Sequence, residues 1–192
     1  MPRLILLGGP NGAGKTTAAM RILPGFLSLR EYVNADTIAA GISAFVPESV
    51  AVEAGRVMLR RLHELAEMGA DFAFETTLAS RSFARFLRNL QGNGYDVQVV
   101  FLWLRSADLA VERVHTRVQA GGHEIPQQVV RRRYAAGWRN FLELYQPIAD
   151  SWQVYDNSGM EERLVAEGWS GEKTEVHDLE LWSFIEEGPT KP

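Results

Sequence analysis

The sequence predicts an α/β domain in three layers, a parallel sheet with helices on both faces, and three observations predict it. Short continuous apolar runs alternate with stretches of helical periodicity, the order that builds β-α units. The first run, Leu4-Ile5-Leu6-Leu7, is apolar at every position and stops at Gly8-Gly9, as a strand buried on both faces does. The chain has 192 residues, 46% of them hydrophobic and 23% charged, which suits one domain with a filled core and excludes intrinsic disorder.

After this central strand a helix is expected over residues 15–23, ended by Pro24-Gly25, then a short strand at Tyr32-Val33 running into Asn34-Ala35-Asp36. Pro47 suits a first helical turn, and Val50, Ala54, Met58, Leu62 and Leu65 follow at helical spacing up to Gly69, a natural C-terminal cap. Residues 71–75 read as the next strand and 81–90 as a helix stopped by Gly92-Asn93-Gly94. The strongest strand covers 97–104. Ser106 caps a helix with Asp108 in its first turn and Ala110, Val114 and Val118 on one face, ending at Gly121-Gly122. Pro126 opens another, whose stripe is Val130, Tyr134, Trp138, Phe141 and Tyr145, and residues 152–155 form a final core strand. Beyond the main body, residues 1–158, lies an appendage, residues 159–192, expected to pack on the same domain. In it 163–169 and Val176 read as a hairpin, 179–187 as a short helix, and 188–192 as a loose end.

The formal charge of −4 divides unevenly: residues 1–158 carry 17 basic and 15 acidic side chains, residues 159–192 carry 3 and 9. The mildly acidic total argues against a general nucleic-acid binder. The absence of cysteine excludes disulfides, zinc thiolate sites and thiol nucleophiles and fits a reducing compartment. The N-terminal apolar run is too short for a signal sequence or a membrane span, so a cytoplasmic protein is expected. Seventeen of the 20 basic residues are arginine, and Lys15 is the only lysine in the first 158 positions. A compact ammonium retained among guanidinium groups points to work that a planar fork cannot do.

The motif around Lys15 names that work. Gly9-Pro10-Asn11-Gly12-Ala13-Gly14-Lys15-Thr16 is a full phosphate-binding loop, set between a buried strand and a helix as the pattern requires. Glycines let backbone N–H groups turn inward around a β-phosphate, the helix presents its positive N-terminus, Lys15 reaches the β- and γ-phosphates, and the Thr16 hydroxyl ligates Mg²⁺. ATP and Mg²⁺ are the expected ligands.

Three further clusters fall at strand ends or on helices near this loop. Asp36 ends the second strand, at the rim where open parallel sheets bind ligands; it reads either as a base for an attacking hydroxyl or Mg²⁺ partner, or as a cap on the next helix. Phe74-Glu75-Thr76-Thr77-Leu78 ends the third strand, where Glu75 and the hydroxyls read as an acceptor-binding set or as a strand terminus with a helix cap. Arg113 and Arg117, one turn apart, precede Gly121-Gly122-His123 and then Arg131-Arg132-Arg133. Such a lid would bring guanidinium groups to a γ-phosphate, and the aromatic stripe puts Arg131 or Arg133, rather than Arg132, toward the site. The other reading is a solvated basic face.

Together these motifs, with Thr17 and the closing Tyr155-Asp156-Asn157-Ser158, resemble the zeta toxin family of P-loop kinases over residues 3–158. The resemblance implies an adenylate-kinase-like sheet with a helical lid, and phosphorylation of a sugar hydroxyl, in the toxins that of a UDP-N-acetyl amino sugar. It implies Asp36 as general base, Glu75 and Thr77 in the acceptor site, Arg117 and Arg131 at the γ-phosphate, and Asn157 near the adenine. It also implies an antitoxin-like protein partner. The expected activity is that of an ATP-dependent small-molecule kinase; the alternative is a regulatory ATPase acting through a protein partner. A polynucleotide kinase would bind oligonucleotides in a salt-sensitive way, but no interleaved aromatic and basic surface supports it.

Overall fold

Strand β1 (Arg3–Gly8) is the middle one of five parallel strands in the computed structural model, which describes residues 1–26, 29–122 and 124–189. Its neighbours in chain order are α1 (Lys15–Phe26), β2 (Glu31–Val33), α2 (Ala35–Ile42), α3 (Ala51–Glu67), β3 (Phe72–Thr76) and α4 (Ser82–Gly92). Then come β4 (Asp96–Trp103), α5 (Ala107–Gln119), α6 (Gln127–Asn140), β5 (Ser151–Asp156), β6 (Arg163–Trp169), β7 (Glu175–Val176) and α7 (Leu179–Glu187). The seven strands run in the order β2-β3-β1-β4-β5-β6-β7, parallel from β2 to β5 and antiparallel across the last two pairings.

Alternation along β1 divides the core. Leu4 and Leu6 join the larger core with Phe72, Phe74, Val97, Val99 and Phe101, under Met58 and Leu62 of α3, Leu87 of α4 and Tyr134 of α6. Ile5 and Leu7 point the other way, to Ala19 and Leu23 of α1. Strand register aligns the functional rim: Leu7 lies between Glu75 and Val100, Gly8 between Thr76 and Phe101, and Val33 of β2 beside Phe74. The residues that follow β1, β2 and β3 therefore emerge together at the carboxyl ends of the strands.

Several boundaries depart from the sequence expectation. Helix α1 continues through Pro24-Gly25 to Phe26. Proline removes one N–H but leaves the helical path open. Asn34-Ala35-Asp36 does not prolong β2: Asn34 Oδ1 accepts from the N–H groups of Asp36 (2.7 Å) and Thr37 (3.2 Å) and starts α2, a helix too short to announce itself by periodicity. Pro47 opens a 3₁₀ turn, Pro47–Val50, before α3. The aromatic stripe of α6 carries on through a π-helical turn, Phe141–Tyr145, in which Phe141 stacks on Phe101 with ring centroids 4.4 Å apart.

The acidic appendage is built into the sheet. Strand β6 pairs with β5, Gly168 gives room for the Trp152 ring, and α7 stacks Trp182 on Trp152 at 5.3 Å, a kind of pair that contributes about 0.5–1.5 kcal/mol beyond its burial. Trp138 Nε1 donates to Ile185 O at 2.9 Å, tying α6 to α7. His123 and the end of the expected loose tail, residues 190–192, lie outside the described residues. Among the described residues no single helix is long and apolar enough to cross a membrane.

Candidate active site

The phosphate-binding loop is shaped by close approach of backbone. Gly9 has φ 145°, and a Cβ there would lie 2.4 Å from Leu102 O of β4; Gly14 has φ 80°, and a Cβ would lie 2.8 Å from Asn157 Nδ2. Lys15 is only 8% exposed, its ammonium donating to Pro10 O at 3.0 Å across the loop. Burial pulls its pKa below the ordinary lysine value; Glu75 and Asp36 oppose that shift, and the positive charges of Arg117 and Arg133 add to it. Lys15 thus sits within electrostatic reach of two acids and two bases brought from four other elements. Asn11, 7% exposed, also lines the cleft, and its Oδ1 is buried with no hydrogen-bond partner among the described residues. A buried amide oxygen in that state is free to accept from a ligand seated in the cleft.

Beside the lysine, Thr16 and Glu75 form the most connected group of the site. The Thr16 hydroxyl donates to both Glu75 oxygens, at 2.9 and 3.1 Å, and accepts from Asn34 Nδ2 at 3.4 Å. The Tyr32 hydroxyl also donates to Glu75. Burial and the adjacent carboxylate push the Tyr32 pKa up, so it stays a protonated donor. Glu75, expected on the acceptor side, is therefore held first against Thr16, through the parallel pairing of β1 with β3. Tyr32 was not expected in the site, and Asn34 only as part of the segment Asn34-Ala35-Asp36. Their positions two residues apart, at the end of β2 beside Asp36, were the available signal.

A cleft of about 710 Å³ opens from Lys15. Asp36, Glu75 and Thr77 line it, with an apolar side from Met58, Leu59 and Phe83. The capping role that the sequence offered Asp36 falls to Asn34, and Asp36 belongs to the first turn of α2. Asp36 and Arg133 also border a second cavity of about 300 Å³, toward Pro47 and Ile125. The hydroxyl of Thr76 accepts from Leu78 N at 3.2 Å and so turns the chain as it leaves β3.

Of the two arginines of α6 expected toward the site, Arg133 lines the cleft and Arg131 does not. Arg131 turns outward and pairs with Asp108 of α5 at 2.5 Å, both largely exposed, because consecutive helical residues diverge by about 100°. Arg132 and Arg133 line the cleft instead. Arg117 stands in the last turn of α5, against Gly122, where a Cβ would lie 2.8 Å from Arg117 Cγ. Arg113 donates to the carbonyls of Ser158 and Gly159, both at 3.2 Å, and Asn157 Nδ2 donates to Ala13 O at 2.8 Å. The β5–β6 turn is thereby fastened to α5 and to the phosphate loop, with Asn157 supporting the loop backbone. Thr17, next to Thr16 in α1, is exposed.

A sequence profile of the family described as Zeta toxin matches residues 1–167. An uncharacterized protein of Haemophilus influenzae is 27% identical over 134 residues, 69% of this chain and 92% of its own. Among solved structures, the AvrRxo1-ORF1:AvrRxo1-ORF2 complex aligns at TM-score 0.78 with sulphate ions and 0.76 with ATP, in each case 18% identical over 100% of this chain. This chain spans 65% of the length of that one. The PezAT chromosomal toxin-antitoxin system of Streptococcus pneumoniae aligns at 0.67, 18% identical, covering 100% of this chain and 80% of the other.

Proposed function

The chain belongs to the zeta toxin family and has the fold of P-loop kinases, and from that premise we propose that it is an ATP- and magnesium-dependent kinase that phosphorylates a hydroxyl of a small molecule. The observation that carries the reading is that Lys15 and Asp36 line one cleft, at the rim where β1, β2 and β3 end. A phosphate-holding ammonium and a carboxylate facing the same space are what transfer to a hydroxyl needs.

The loop backbone and Lys15 hold the β- and γ-phosphates. Asp36 accepts the proton of the acceptor hydroxyl as its oxygen bonds to the γ-phosphorus; the bond to the β–γ bridging oxygen breaks, and ADP leaves with that electron pair. Arg133 and Arg117 offset charge on the transferring group, with Arg133 taking the part that the resemblance implied for Arg131. Magnesium fits beside Lys15, where the Thr16 hydroxyl and the Glu75 carboxylate supply hard oxygen donors at 2.9 to 3.1 Å from one another. When bound, the ion neutralises phosphate oxygens. Thr77 and the apolar side of the cleft receive the acceptor, for which a UDP-N-acetyl amino sugar is the first candidate. An antitoxin-like protein partner accords with the same family.

The test is incubation with labelled ATP and a panel of UDP-N-acetyl amino sugars and nucleosides, comparing the wild type with Asp36→Ala. Label is expected in one acceptor, and only with the wild type. Label found solely in inorganic phosphate, at equal rates in both proteins, overturns the kinase reading in favour of a regulatory ATPase.

A further inference from the structure

Between the end of β3 and the start of α4 the chain runs without regular structure, and this stretch supplies one wall of the cleft: Thr77, Ala79 and Ser80 line it. Its carbonyls have left the sheet, and Leu78 takes a left-handed φ of 57°, which a side-chain-bearing residue holds only under constraint. The constraint comes from α6 and the π turn that continues it. Gly137 brings the helix so close that a Cβ would lie 2.1 Å from Thr77 O. One turn on, Asn140 Nδ2 donates to Leu78 O at 2.8 Å and to Ala79 O at 3.2 Å. The Tyr145 hydroxyl donates to Ser80 O at 2.5 Å. Four consecutive carbonyls, 77 to 80, thus meet α6 or its continuation. Asn140 is 6% exposed, and its amide hydrogens serve two neighbouring carbonyls, which fixes their direction as apolar packing could not.

We infer that Asn140 is a positioning residue for the acceptor: it locks the wall at residues 77–80 to the helix that carries Arg132 and Arg133. Wall and arginines form one piece. An acceptor seated against Thr77 and Ser80 meets guanidinium groups whose distance from it is preset, and the phosphate loop lies outside this piece. The inference rests on the kinase reading for the identity of what the wall meets, and it assigns a cost to one substrate only.

The test compares wild type, Asn140→Ala and Tyr145→Phe in three measurements. They are hydrogen–deuterium exchange over residues 77–82, ATP affinity without acceptor, and phosphate transfer to UDP-N-acetylglucosamine at varied concentration. Asn140→Ala is expected to raise exchange in that segment and to raise the KM for the sugar nucleotide about tenfold, with ATP affinity within about twofold of wild type. Tyr145→Phe, which removes one hydroxyl at the end of the clamp, is expected to raise the same KM about threefold and serves if Asn140→Ala fails to fold. Unchanged exchange, or an equal loss on ATP and sugar nucleotide in a folded variant, overturns the inference. If the wild type transfers nothing to this sugar nucleotide, the acceptor assignment falls. Exchange and ATP affinity then decide: selective loosening of 77–82 with ATP affinity retained supports the positioning role, and retained protection sinks it.

Discussion

The two halves of the cleft are made of different material. The nucleotide half is one contiguous segment, Gly9 to Thr16, whose shape is backbone: left-handed glycines, a lysine folded back on Pro10 O, and no room for a Cβ at Gly9. The proposed acceptor half is assembled from α2, α3, the exit of β3, and α6, joined by side-chain bonds such as that from Asn140 to Leu78, 62 positions apart. Substitution in the first half strikes the main chain and has few gentle forms. In the second it strikes individual hydrogen bonds, so specificity can change there by small steps while phosphate binding is kept.

The sharpest way to break the contrast is Lys15→Ala. It is expected to remove transfer and ATP binding together, by about three orders of magnitude or more in kcat/KM, as loss of preorganised charge at a phosphoryl group does. Thermal unfolding should show the domain still folded; tight ATP binding by this variant would count against the loop's role. Next in size is Asp36→Asn, expected to lower kcat by about 10²- to 10⁴-fold with ATP affinity held, the usual range for a general base. A parallel fall in ATP affinity would move Asp36 to the nucleotide half.

Smaller effects sharpen the contrast. Gly137→Ala should cost about 1–3 kcal/mol, as overpacking does, because its new methyl meets Thr77 O and the helix must retreat. Chemical denaturation measures this, and a neutral result would show the helix free to shift. Last comes the pair Arg133→Ala and Arg131→Ala. The first is expected to lower kcat/KM about 10- to 100-fold, while the second stays within about twofold, since an exposed ion pair such as Arg131 with Asp108 contributes little. Equal effects would restore Arg131 to the site.

How much of this could be read in advance follows the same division. The loop was legible because its chemistry depends on residue types at fixed spacing, and the strands because Leu4-Ile5-Leu6-Leu7 and residues 97–104 are apolar without interruption. The rim position of Asp36 and Glu75 followed from strand ends alone. The hydrogen bonding of Glu75's oxygens did not, because the partner that holds them, Thr16, follows β1, which pairs with β3. Arg131-Arg132-Arg133 shows the limit of a helical wheel. The aromatic stripe located the core, yet the cleft borders α6 on the side of Arg132 and Arg133, a fact about where the helix ends up against α2 and α3. Asn140 gave no signal and Tyr32 only its place near the end of β2, since a buried amide and a strand tyrosine are ordinary until the carbonyls and carboxylate opposite them are known.

One feature of the appendage bears on how this chain can be cut and joined. Strand β5 is covered along its outer edge by β6, and the Trp152 ring is covered by Trp182. A chain ending after Ser158 would keep every residue of the cleft, yet it would present a bare row of N–H and C=O groups and an uncovered indole to its neighbours in solution, a template for sticking. The motifs that suggest a boundary at 158 describe where the chemistry stops. The solubility limit lies further on, past α7, and a shortened form or a fusion made at 158 is expected to aggregate through the β5 edge with its phosphate loop intact.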